Sequence, residues 1–204
     1  MAIKWNEYEL TIKLTRPMLG TIPKDREVYA KHVKHQLAGD DEEILVPEDV
    51  ESAGWTGFLA HDGVPSIWDY QVKGFIKEAG NVLKAQAGVT ALRSHIDNEL
   101  FVSPRSIPVK LLPEPLERPI RVMTMQGPRV SVIRSDQAEA DPDHPLVWWL
   151  RVLDGSKITR ALLETILEYG SVKGLGQWRN GGWGSFEYEL VDVVELPAEK
   201  ARAK

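Results

Sequence analysis

An α+β domain is predicted by three features of the chain. Strand-like alternation opens and closes it, two amphipathic helical stretches lie between, and a glycine-rich bend joins the second of these to the last strand. At 204 residues, 43% hydrophobic and 27% charged, the chain has the length and composition of one large soluble domain with insertions, or of two small ones.

The elements follow in order. Tyr8, Leu10, Ile12 and Leu14 alternate with Glu7, Glu9, Thr11 and Lys13, the pattern of a half-buried strand that Arg16-Pro17 and Gly20 end. Val28, Tyr29, Val33 and Leu37 stand at helical spacing across 25–37, before an acidic stretch that runs through Pro47. Residues 54–58 and 62–65 carry the glycines of a hairpin or turn. A stronger helix spans 69–84, with Tyr70, Phe75, Ile76, Ala79, Val82 and Leu83 as its apolar stripe and Ser66 or Asp69 as its cap. Gly74 inside it costs about 1 kcal/mol relative to alanine, so a close approach by another backbone or a ligand is expected there.

Prolines break 99–134 into short strands, with 120–125 and 129–134 paired as a hairpin across Gln126-Gly127-Pro128. After a polar loop at 138–145, residues 147–153 read as a strand. Asp154-Gly155-Ser156 turns into a helix that carries Ile158, Ala161, Leu162, Thr165, Ile166 and Tyr169 on one face. Phe186, Tyr188, Leu190 and Val194 mark the final strand. Without its insertions the order is that of a split βαβ, a ferredoxin-like (RRM-like) βαββαβ core. The chain thus reads as one domain over 1–196, with insertions at about 38–65 and 88–117 and a charged tail at 197–204.

Several functions are disfavoured at once. No apolar run approaches the roughly 18 residues of a membrane helix, and the first residues lack a signal-peptide core. Zero cysteines remove disulfides and thiolate metal sites and fit a reducing cytoplasm. There is no HExxH, no phosphate-binding Walker loop and no dinucleotide turn, so neither a metal nor a cofactor is expected. The net charge of −5 argues against avid, non-specific binding to duplex DNA. Acids gather at 40–51 and 139–143, whereas Arg93, Arg105, Lys110, Arg118, Arg121, Arg129 and Arg134 make the stretch between helix and hairpin basic.

The segment 174–184 reads Gly174-Leu175-Gly176-Gln177-Trp178-Arg179-Asn180-Gly181-Gly182-Trp183-Gly184. Glycine serves where the backbone must take positive φ or let a ligand come close. Amides and a guanidinium suit phosphate, and indole faces suit bases. The alternative is a tight connection whose tryptophans are core. Trp183, in the apolar slot of the repeat, is expected to be buried under the loop.

The spacing GLG-QWRNG-GWG resembles the C-terminal glycine-rich loop of the RAMP superfamily, the ferredoxin-like RNA-binding proteins of CRISPR systems. A second stretch, Ile67-Trp68-Asp69-Tyr70-Gln71-Val72-Lys73-Gly74-Phe75-Ile76-Lys77-Glu78-Ala79, is similar to the apolar-Lys-Gly helix opening of that family's crRNA-backbone members. The resemblance implies a single-stranded nucleic-acid binder, with RNA before DNA, contacting phosphates through the loop. The expected site residues are Lys73, Lys77, Gly174, Gly176, Gln177, Trp178, Arg179, Asn180, Gly182 and Gly184, with Arg179 foremost.

The resemblance further implies side-by-side assembly with related subunits or self-association, and fits a stand-alone or phage-encoded relative. Two alternatives stay open. One is a metal-independent endoribonuclease with His32 or His35 as general base, for which the matching position cannot be fixed. His95 is similarly ambiguous, and Asp25 is a loop acid without an evident metal-binding partner. The other is a non-catalytic assembly subunit whose glycine-rich loop docks a protein.

Overall fold

The computed structural model describes residues 3–24, 54–124 and 127–193. The helix expected over 25–37, with Asp25, His32 and His35, lies outside the described residues, as do the acidic segment through 51, Val194 and the charged tail.

The described chain is mixed α/β, mostly strands with three helices. Strands β1 (Trp5–Leu14), β2 (Met18–Leu19) and β3 (Ile22–Pro23) come first, then β4 (Trp55–Gly57), β5 (Ala60–His61) and β6 (Val64–Trp68). Helices α1 (Asp69–Ala87) and α2 (Leu92–Glu99) lead into β7 (Leu100–Ser103) and β8 (Ser106–Pro108). Next are β9 (Leu116–Thr124), β10 (Gly127–Ser135), β11 (Gln137–Ala138) and β12 (Leu146–Leu153). Helix α3 (Arg160–Lys173) and strand β13 (Phe186–Asp192) follow.

The central sheet has the order β13-β1-β12-β7, and every neighbouring pair is antiparallel. Alternation decides its sidedness. Tyr8, Leu10, Ile12 and Leu14 of β1, with Leu146, Trp148, Leu150 and Val152 of β12, turn to one face and are buried in a single core with α1 and α3. Burial of each such large side chain contributes about 1.5–3 kcal/mol.

The helical stripes are rotated from the expected ones. On α1, Val72, Phe75, Ile76, Ala79 and Gly80 are buried, while Tyr70 and Val82 are exposed. On α3, Leu163, Ile166, Leu167 and Gly170 are buried, whereas Ala161 is exposed. The expected caps also differ. Trp68 is the N-cap of α1, its amide donating to Gln71 Oε1 at 2.9 Å, and Asp69 pairs with Arg105 instead. No described protein atom comes near the place a Gly74 side chain would take, so the close backbone approach expected there is absent. The packing glycines are elsewhere: a methyl on Gly170 would overlap the Phe75 ring, and one on Gly80 would lie 2.7 Å from Ile96 Cδ1.

A second region combines β3 and β4 with the hairpin that lies between β7 and β12. A sheet of order β3-β4-β10-β9 is anchored where Arg134 and Ser135 of β10 pair with Trp55 and Thr56 of β4. Beyond that anchor, β9 and β10 continue as a two-stranded ribbon to Gly127↔Thr124. The expected hairpin is therefore longer at its root. Helix α2 was not expected from the sequence. No described helix is long and apolar enough to cross a membrane.

Candidate nucleic-acid interface

The glycine-rich loop is anchored rather than open. Gly174 caps α3, its amide donating to Gly170 O at 2.7 Å. The amides of Leu175, Gln177 and Gly184 donate to Gly184 O, Leu19 O and Pro17 O, and those of Gly181 and Gly182 to Trp178 O and Arg179 O. Gly176 and Gly184 take φ of +80° and +69°, where a side chain would meet Leu19 O and Leu175 O respectively. Glycine is needed at both to let backbone pass backbone. These six amides are thus spent on the fold.

The loop's charged and amide side chains are also engaged. Arg179 Nη2 donates to Glu78 Oε1 of α1 at 2.9 Å, a direct ion pair. Lys173 Nζ donates to Asn180 Oδ1 at 2.9 Å. Lys77 pairs with Asp97 of α2 at 2.9 Å, and Lys73 donates to the Asp97 carbonyl at 2.7 Å. Burial holds the Lys73 ammonium below its ordinary value, with Asp97 opposing. The hydrogen bond from Lys77 holds the Asp97 carboxyl low. Both lysines therefore tie α1 to α2, away from the loop residues they were grouped with.

Trp183 is half-buried, not core. It stacks on Trp178 with centroids 6.2 Å apart and planes 15° apart, and Trp178 is 43% exposed. The tryptophan of the core is Trp148.

The loop meets the second region at Gln177. Its Oε1 accepts from Arg118 Nη2 at 2.9 Å, and from Thr56 and Ser135 hydroxyls at 3.3 and 3.4 Å. Arg118 is only 8% exposed, and its guanidinium lies 4.8 Å from the Trp178 ring. Among the described residues no carboxylate pairs with it, and its Nε has no hydrogen-bond partner. Burial pulls this guanidinium below its ordinary value. A buried cation answered only by an amide oxygen and a π face is costly unless an anion completes its shell.

Arg118 roots the β9–β10 ribbon, whose register sorts its side chains. One face carries Glu117, Pro119, Arg121 and Met123 opposite Arg134, Val132, Val130 and Pro128. Met123 is 72% and Val130 76% exposed, an uncommon state for apolar side chains placed together. With Arg118, Arg121, Arg129 and Arg134 against Glu117 alone, 116–135 is a basic ribbon with an apolar edge.

The sequence placed Arg118 only within a basic run. The available signal was phase: Arg118 falls in step with Ile120, on the opposite side of the strand from Pro119 and Arg121.

The sheet face away from the helices has the opposite charge. Register brings Glu7, Glu9 and Lys13 of β1, Glu187 and Glu189 of β13, and Arg151 of β12 together there, with Trp5 and Phe101. Glu7 already holds Arg151 at 2.7 Å. Four carboxylates against two bases make this face acidic and disfavour phosphate there. No group of three metal-ligating side chains occurs among the described residues. His95 is hydrogen-bonded to Glu99, whose other oxygen accepts from Ser156 at 2.5 Å, an arrangement that joins α2 to the turn before α3.

No family model and no curated protein matches the sequence. The backbone is similar to that of a chain in the cryo-EM structure of the type III-B Cmr-beta bound to cognate target RNA. The TM-score is 0.49 and the identity 11%, over 93% of this chain and 61% of that one, so the chain spans about three-fifths of that length. It is also similar to a chain of a type IV-B CRISPR complex, with TM-score 0.46 and 14% identity over 94% of this chain and 93% of that one.

Proposed function

We propose that the chain is a single-stranded nucleic-acid binding protein of RAMP type, with RNA as its ligand. The ferredoxin-like reading is supported by the antiparallel order β13-β1-β12-β7, with α1 between β1 and β7 and α3 between β12 and β13. On this reading 1–196 form one cytoplasmic domain.

The observation that carries the proposal is Arg118. A phosphate oxygen reaching it past Trp178 supplies the anion that its surroundings lack, through a charge-assisted hydrogen bond. A base next to that phosphate stacks on the Trp178–Trp183 pair. On the ribbon's opposite face Arg121 and Arg134 offer further phosphate contacts, Arg134 only by leaving Glu117. The preference for RNA over DNA comes from the resemblance of the loop and helix motifs. The glycine-rich loop contributes a fixed platform and its indole, and Arg179 reaches phosphate only by leaving Glu78.

The test is a polarisation titration with labelled single-stranded RNA and DNA at two salt concentrations. Affinity should fall with salt, with a slope of about −0.7 for each phosphate contacted. Salt-independent binding, or none, would overturn the proposal.

A second reading has its own support. The acidic, aromatic-bearing sheet face suits a protein neighbour better than a polyanion, as an assembly subunit requires. Self-association without RNA affinity would favour it. The catalytic candidates His32 and His35 lie outside the described residues, and no cleavage step is proposed.

A further inference from the structure

Beside the glycine-rich loop lies a cavity of about 220 Å³ that Arg118 does not line. Among the described residues its walls include Met18, Phe58 and Leu175, and its rim carries Thr21, Glu78 and Arg179. Leu175, Gly176 and Arg179 face this cavity, while Gln177 and Trp178 engage Arg118. The loop thus contributes Gln177 and Trp178 to the surroundings of a phosphate-seeking arginine and Leu175, Gly176 and Arg179 to an apolar recess.

Size and chemistry constrain the occupant. The volume is below the ~300–1,000 Å³ of pockets that enclose drug-sized ligands, which leaves room for one small ring system. The Glu78–Arg179 pair makes the rim neutral as a whole, so neither a lone anion nor a lone cation is selected. Hydrogen-bonding capacity remains on both signs. Thr21 Oγ1 accepts from Gln71 Nε2 at 3.3 Å and keeps its own proton to donate. Glu78, which lines the cavity, receives Arg179 on Oε1 and has a second carboxylate oxygen able to accept. A neutral, flat heterocycle with donors and acceptors along one edge matches both the walls and the rim.

We propose that this cavity receives one unstacked nucleobase of the bound strand, beside the base stacked on Trp178. The inference rests on the nucleic-acid reading above and assigns it a second base-contacting subsite. Splaying consecutive bases into two separate subsites is available to a single strand, whose bases are free to unstack.

The experiment uses the full chain and two labelled probes of equal length: a single-stranded RNA, and a ribose-phosphate strand in which every base is missing. Wild type should prefer the RNA, and Trp178→Ala should reduce that preference without removing it. Adding Thr21→Trp, whose indole fills the recess, should remove the remainder, about tenfold, and leave affinity for the baseless strand unchanged. A remainder unaffected by Thr21→Trp would overturn the cavity assignment while leaving binding at Arg118 intact. Failure of both probes to bind would instead overturn the nucleic-acid reading itself.

A second measurement does not depend on that variant folding. An RNA in which adenines are replaced by 2-aminopurine should brighten on binding wild type, as a base leaves its stacked neighbours. Unchanged emission at saturation counts against the proposal. Loss of self-association by Thr21→Trp, with base preference retained, would assign the recess to a protein side chain and overturn it as well.

Discussion

The open sheet face and the β9–β10 ribbon both bring rings or apolar side chains to the surface, yet they differ in sign. The face gathers Glu7, Glu9, Glu187 and Glu189 against Lys13 and Arg151, and Glu7 already holds Arg151. The ribbon gathers four arginines against Glu117, and its root arginine has no carboxylate among the described residues. A net charge of −5 conceals this division. An acidic protein can bind a polyanion when its bases are concentrated on one projecting element and its acids on another face.

The largest effect is expected at Arg118. Hydrogen bonds to a charged group contribute about 1.5–3 kcal/mol, so Arg118→Gln should weaken single-stranded RNA binding by about 10–100-fold in a polarisation assay. Its melting temperature should hold or rise, because a buried cation without a counter-ion is removed. A sharp drop in melting temperature with unchanged RNA affinity would show that Arg118 is only a clamp between loop and ribbon.

Next comes the ribbon itself. Replacing Arg121 by Ser should lower affinity several-fold and flatten the salt dependence by about 0.7, the share of one phosphate on a single strand. An unchanged slope would remove the ribbon from the interface.

A smaller effect is expected on the sheet face. The double reversal Glu187→Lys with Glu189→Lys should raise RNA affinity by less than about threefold, and only at low salt, since more distant charges act through a screened field. A larger gain that persists at high salt would mean that the strand crosses this face, and the contrast between the regions would fail.

The smallest effect concerns stability. The hydrogen bond from Lys77 depresses the Asp97 carboxyl, and those from Ser156 and His95 depress Glu99. Folded values below unfolded ones mean stability that is fully present above the ordinary carboxylate range and lost as pH falls through the folded values. Melting temperature should therefore decline below about pH 4. Asp97→Asn should make that decline shallower, by a margin near the ~0–1 kcal/mol of a half-exposed pair.

Much of the architecture was legible because burial leaves a period. Alternation at Tyr8, Leu10 and Ile12 located β1, and glycines with turn residues located the bend before β13. The stripe phases were less legible. Tyr70 and Val82 carry apolar character but lie outside the contact that Val72 and Gly80 make, and only the position of the neighbouring helix decides that. Helix α2 was missed because its eight residues hold just two buried side chains, Leu92 and Ile96, too few to reveal a period.

At the site, the motif pointed to the loop but gave no view across the fold. Glu78 is 101 positions from Arg179, and nothing local announces their ion pair. A separation of 59 positions likewise hid the junction of Arg118 with Gln177. Trp183 looked like core because its slot is apolar, but the opposite indole supplies its cover.

The Trp178–Trp183 pair has an optical consequence. Two stacked indoles 6.2 Å apart with nearly parallel planes share their electronic excitations, which yields a paired positive and negative band in the far-ultraviolet dichroism. Anything that slides against this pair changes its shape, so the protein carries its own unlabelled gauge of occupancy.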